Sequence, residues 1–142
     1  MRSLLDVNVL IALLDEDHVH HASARAWFRS EGVHGWASCP ITQNGCVRIM
    51  TQPAYPSPVP VVDVVERLRE ATGHVAHEFW PDDVSLLDPI RLDITRLHGP
   101  KQITDAYLLA LAVAHGGRLA TFDDRAPLSA VIGATRANLT VI

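Results

Sequence analysis

Lysine is almost absent: eleven of the twelve basic residues are arginine, and Lys101 is the single lysine. Sixteen acids leave a formal net charge of −4 at pH 7. That balance argues against a chain that coats nucleic acid nonspecifically, because such binding rests on Lys and Arg neutralising phosphates. It leaves room for an enzyme that acts on nucleic acid, since cations held in an acidic pocket reverse the local sign. Arginine grips phosphate with two parallel hydrogen bonds, although a composition bias gives the same count. Cysteine is scarce too. Cys39 and Cys46 stand seven residues apart, match no common zinc or redox spacing, and read as two small buried thiols in a reducing compartment. No apolar run is long enough to span a bilayer. The opening MRSLLDVNVLIALLDED is broken by Asp6 and closed by acids, so it fits neither a signal peptide nor a membrane segment. The expected location is the cytoplasm, with no membrane partner. No G-x-S-x-G motif is present, so none of the scattered histidines has a nucleophile to serve in a triad.

What is present fits one compact domain spanning residues 1–142: 48% of the residues are apolar, 20% are charged, and no window combines low hydrophobicity with one-sided charge. Residues 3–5 read as a strand, followed by helical spacing over 9–14 and 22–28. A second strand is expected at 35–38, and the stretch after Pro40 as a helix with proline in its first turn. Four prolines in QPAYPSPVP mark an extended connector. Helical amphipathicity over 61–71 ends at Gly73. HEFWPDD holds a short strand, and DPIRLDITRL reads as a modest helix. TDAYLLALAVAHGG predicts a buried helix with Thr104 as N-cap and Gly116 and Gly117 as its stop. Residues 118–122 and 139–142 complete the strands. Such alternation implies an α/β protein whose parallel sheet is covered on both faces, with its site in the crevice beyond the strand carboxyl ends.

That rule selects acids. Asp6 follows the first strand directly, Asp105 opens the buried helix, and Asp123 follows RLATF. Each alone has an ordinary structural reading, because aspartate is common after strands and at helix starts. Together they would repel one another, each raising its neighbours' pKa, unless a cation offsets them. With only oxygen ligands and no His or Cys beside them, Mg²⁺ or Mn²⁺ is favoured over zinc. Water made more acidic by such an ion attacks phosphorus in line, and phosphodiester hydrolysis is the chemistry this donor set permits.

The run LLDVNVLIAL at the start, TDAYLLALA later and LATFD after it resemble the PIN-domain family over nearly the whole chain. Within it, HHASARAWF, CPITQNGCVRIMTQPAYP and HEFWPDD are similar to one bacterial subgroup of VapC-type toxins. The resemblance implies a three-layer α/β/α fold with a central, mostly parallel sheet, and an acidic pocket binding Mg²⁺ or Mn²⁺. It implies an endoribonuclease serving as the toxin of a toxin–antitoxin pair, with tRNA and rRNA as the candidate substrates. Asp6, Asp105 and Asp123 would be the catalytic acids and metal ligands. Asn8 would help hold Asp6, Thr121 would lend a hydroxyl, and Asp124 would stand as an adjacent acid. A homodimer and a VapB-like antitoxin whose C-terminal segment fills the cleft are implied as well. One departure is Gln43, where many members carry glutamate: an amide offers a carbonyl oxygen without charge, which makes a second metal less certain.

Arg48, Lys101 and Arg125 are candidates to border the cleft and touch phosphate, and surface solubility explains them equally well. His18, His20 and His21 lie where a helix begins and form no fixed set of four ligands, so a solvated face or a dimer contact is favoured over zinc. Trp27, Trp36 and Trp80 read as core. Two rivals stand. One is a non-catalytic PIN-like module that binds RNA or an antitoxin, motivated by Gln43. The other is a phosphatase or receiver domain with Asp6 as phospho-acceptor, which Asn8 and the position of Lys101 oppose.

Overall fold

The computed structural model describes Met1 to Ile142. Five strands form one sheet: β1 (Ser3–Leu5), β2 (Trp36–Ser38), β3 (His77–Phe79), β4 (Arg118–Thr121) and β5 (Leu139–Val141), in the order β3-β2-β1-β4-β5. All four pairings are parallel, with Ser3 beside Trp36 and Leu4 beside Leu119. The helices are α1 (Val7–Leu14), α2 (His21–Ser30), α3 (Pro40–Met50), α4 (Val61–Thr72) and α5 (Ile103–Ala114). None is long and apolar enough to cross a membrane.

Strand alternation sorts the core into two layers. Leu4, Ala37 and Leu119 face α5, whose residues 106–112 are all buried, together with Trp80 and Leu139. Their neighbours Leu5, Trp36 and Ala120 face the other way, against Val9, Leu10 and Ile11 of α1, Cys46 and Met50 of α3, and Val64 and Leu68 of α4. The result is three layers, with α5 alone on one side. The inner strands β1, β2 and β4 are covered on both faces and so show no alternation of buried and exposed residues, whereas the edge strand β3 is largely exposed. Both cysteines are free and buried, and burial pushes the Cys46 thiol up to about 12, leaving it unreactive.

Two glycines have defined roles. Gly116 takes φ +68 past the end of α5, and the Gly117 amide closes back on the Ala112 carbonyl at 2.8 Å, the left-handed stop expected of this pair. At Gly45 an added Cβ would stand 2.8 Å from Val7 Cγ2, so the missing side chain lets α3 lie directly against α1.

Two expected elements differ. DPIRLDITRL is not an α-helix but turns, a bridge from Leu92 to Val131, and a 3-10 turn at Ile94–Arg96. Asp88 and Asp93 accept from the amides of Ile90 and Thr95, two residues on, and such local bonds compete with helix. Thr104 does not cap α5, because a 3-10 turn at Pro100–Gln102 runs into the helix and places Thr104 inside it.

Candidate functional site: an acidic crevice between β1 and β4

The chain winds outward from β1 through β2 to β3, then returns to place β4 on the other side of β1. Between β1 and β4 the winding direction reverses, and loops leaving the two carboxyl ends diverge to open a crevice there. Asp6 and the Phe122–Arg125 loop emerge at this point. They share a pocket of about 440 Å³ with Asn8, Asp105 and Thr121.

Asp6 is 8% exposed and caps α1. One carboxylate oxygen accepts from the Val7 amide at 2.7 Å, the other from the Thr121 hydroxyl at 2.9 Å. Burial raises its pKa, the two hydrogen bonds hold it down, and nearby Asp123 adds to the rise. Thr121 Oγ1 also accepts from the Asp123 amide at 3.1 Å, so one hydroxyl ties the end of β1 to the loop after β4. Asp105 is half-buried in the first turn of α5. Burial, then repulsion from Asp6 and Asp123, push its carboxyl up to about 6. Asp123 is held below the usual range by Arg125, whose Nε and a terminal nitrogen donate to its two oxygens at 3.0 and 3.2 Å. Asp124 is exposed on the same rim.

As the side chains stand, no three acids converge on one point as a ready chelate, since Asp123 is turned to Arg125 and Asp6 to Thr121 and Val7. The donor chemistry nevertheless fits a hard divalent ion. The lining offers carboxylate and hydroxyl oxygens with no sulfur or imidazole, and the upward shift of Asp105 reflects its burial first and then the neighbouring acids. Magnesium is bound through one or two carboxylates with several waters retained, so full convergence of three side chains is not required.

The other candidates separate. Arg125 lines the pocket, while Arg48 and Lys101 lie outside its lining. Asn8 lines the pocket but does not hold Asp6, whose partners are Thr121 and Val7. Gln43 is elsewhere: its amide donates to Ser38 Oγ at 2.9 Å, and it borders a depression between α3 and α4. Trp36 and Trp80 are core, and Trp27 is partly buried against it. Sequence reasoning misses Phe122, which lines the pocket, and His20, which stacks on it at 4.6 Å. Phe122 stands inside LATFD, where its neighbours make it read as one more strand residue.

A five-stranded parallel sheet with acids gathered at its reversal point is the arrangement of a nuclease-like α/β domain. The PIN domain model matches residues 3–131, and the chain belongs to the PIN domain family. It is 58% identical to Ribonuclease VapC44 of Mycobacterium tuberculosis over 142 residues, all of both chains. It is 46% identical to Ribonuclease VapC38 of the same species over 125 residues, covering 85% of this chain and 84% of that one. The fold is shared with the crystal structure of VapBC2 from Rickettsia felis bound to a promoter DNA fragment (TM-score 0.57, 11% identity, 88% and 90% of the two chains covered).

Proposed function

We propose that this chain is the toxin of a toxin–antitoxin pair, acting as a single domain over residues 1–142 and cutting RNA phosphodiesters with Mg²⁺ or Mn²⁺. The family, the relatives named ribonucleases and the acidic pocket support the reading, and one observation carries it. Asp6, Asp105 and Asp123 share one pocket at the reversal point of the sheet, where burial first, and then repulsion from the other two acids, push Asp105 up to about 6.

Asp6 and Asp105 would hold the ion, with Asp123 joining them on release from Arg125. When bound, the ion supplies an activated water and offsets charge on the phosphoryl oxygens. The chain's own residues do the rest. Thr121 and the Val7 amide fix Asp6 so that its charge is aimed without reorganisation. Asp123 and Asp124 stand at the rim to orient water, and Arg125, 85% exposed in its side chain, is free to swing from Asp123 to a substrate phosphate. Gln43 bonds to Ser38 at the end of β2 and borders the depression between α3 and α4, outside the lining of the acidic pocket. A VapB-like antitoxin and a homodimer complete the proposal, the first supported by the likeness in fold to the Rickettsia felis VapBC2 structure.

The test is incubation of purified, antitoxin-free protein with total bacterial RNA and Mg²⁺ or Mn²⁺, beside EDTA and Asp6→Ala controls, with sequencing of new RNA ends. Discrete ends lost in both controls are expected. Absence of cutting with either metal overturns the proposal.

A further inference from the structure

Beside the acidic pocket lies an aromatic step that the hydrolytic chemistry does not use. Phe122 lines the pocket, and His20 stacks on its ring with centroids 4.6 Å apart and planes 30° apart. The His18 ring follows at 5.8 Å, tilted by 43°. His20 is exposed, and its imidazole makes no hydrogen bond within the chain. Its neighbours are engaged: His18 Nδ1 pairs with the His20 amide at 3.1 Å and His21 Nδ1 with the Ala12 carbonyl at 2.7 Å.

Such a feature would serve the site on chemical grounds. The chain carries a net charge of −4, and four aspartates line the pocket, so a polyanion receives little attraction from the protein's overall field. Stacking of a base on an aromatic face is independent of that field, and it is how unpaired RNA is commonly held. An exposed ring stacked on Phe122, which itself lines the pocket, and left without a polar partner suits that work.

We infer that His20, supported by Phe122, is a substrate-positioning residue that stacks an unpaired base flanking the scissile phosphate. The inference rests on the ribonuclease reading above. It assigns the His18–His20 run to the RNA rather than to a metal or to a second protein.

The experiment uses the full chain and a synthetic RNA spanning a cleavage site mapped from total RNA, with 2-aminopurine replacing each flanking base in turn. In an Asp6→Asn background, where cutting is blocked, His20→Ala should weaken binding about tenfold and abolish 2-aminopurine quenching at one position. His20→Phe should restore both, and His20→Leu, which keeps bulk over Phe122 without an aromatic face, should not. In the cutting background, KM should rise with kcat little changed, and Mn²⁺ affinity and Tm should stay at wild-type values. Equal binding by all four proteins overturns the inference, as does rescue by leucine, or loss of Mn²⁺ affinity in His20→Ala, which would mark a structural role. A wild-type chain that cuts no RNA overturns the ribonuclease reading and this inference with it. Wild-type cutting with an indifferent His20 overturns this inference alone.

Discussion

Thr121 donates its hydroxyl hydrogen to Asp6 across 2.9 Å, joining residues 115 positions apart, and both are buried at the reversal point of the sheet. A hydrogen bond to a charged group contributes about 1.5–3 kcal/mol. Thr121→Val keeps the shape and removes the donor. It should lower stability by about 1–3 kcal/mol in urea denaturation at neutral pH, and raise the metal concentration needed for half-maximal cleavage about 10-fold or more. Thr121→Ser should retain most of both.

Asp105 gives a pH dependence with a defined sign. Its folded carboxyl is pushed up to about 6 from the ordinary 3.8. The charged form is therefore less favourable in the folded chain, a destabilisation fully present above about pH 6. It is relieved as pH falls through about 6, and is gone below about 3.8. In EDTA, Asp105→Asn should be more stable than wild type at pH 7.5, with the gap closing toward pH 4. Urea midpoints across that range measure it, and a gap that widens on acidification contradicts the assignment.

How much of this is legible in the sequence depends on whether the signal is local. Asp6, Asp105 and Asp123 are readable because each lies beside a short apolar strand or a long apolar helix whose type is clear. The parallel sheet follows from the same alternation. Residues 88–97 mislead because isoleucines at helical spacing are overruled by the side-chain bonds of Asp88 and Asp93, which act within two residues. Gln43 is a different case. Its place in α3 is as expected, but which depression it borders depends on the packing of α3 against α4. The contact of His20 with Phe122 joins two distant segments, and no periodicity encodes it.

Arg125 is proposed to link the acids to the substrate. Its three bonds to Asp123, two from the guanidinium and one from the backbone amide, keep that carboxylate turned inward to its own loop. Arg125→Ala keeps the amide bond but removes both guanidinium bonds, which should loosen Asp123 and raise apparent metal affinity a few-fold by calorimetry. It should also weaken RNA binding, with the slope of log K against log salt falling by about 1. Unchanged metal affinity together with an unchanged slope would remove Arg125 from the site.

Gly45 tests the support beneath Asp6. A methyl at this position meets Val7 at 2.8 Å, and Val7 supplies the amide that Asp6 accepts. Gly45→Ala should cost about 1–3 kcal/mol through overpacking, and should reduce metal affinity because α1 is displaced. Gly133→Ala is the control: an added Cβ there finds no atom nearer than 3.9 Å, although its φ of +81 strains any side chain. It should lower stability without touching metal affinity.

Asp6 and Asp105 together are assigned the ion on which RNA cleavage depends. Calorimetric titration of Mn²⁺ into wild type, Asp6→Asn, Asp105→Asn and Gln43→Ala at pH 6, in buffers of different ionisation enthalpy, tests that assignment most directly. Binding with proton release is expected in wild type and Gln43→Ala, and loss of binding in both aspartate variants. Equal Mn²⁺ affinity in all four proteins, or loss confined to Gln43→Ala, would contradict it.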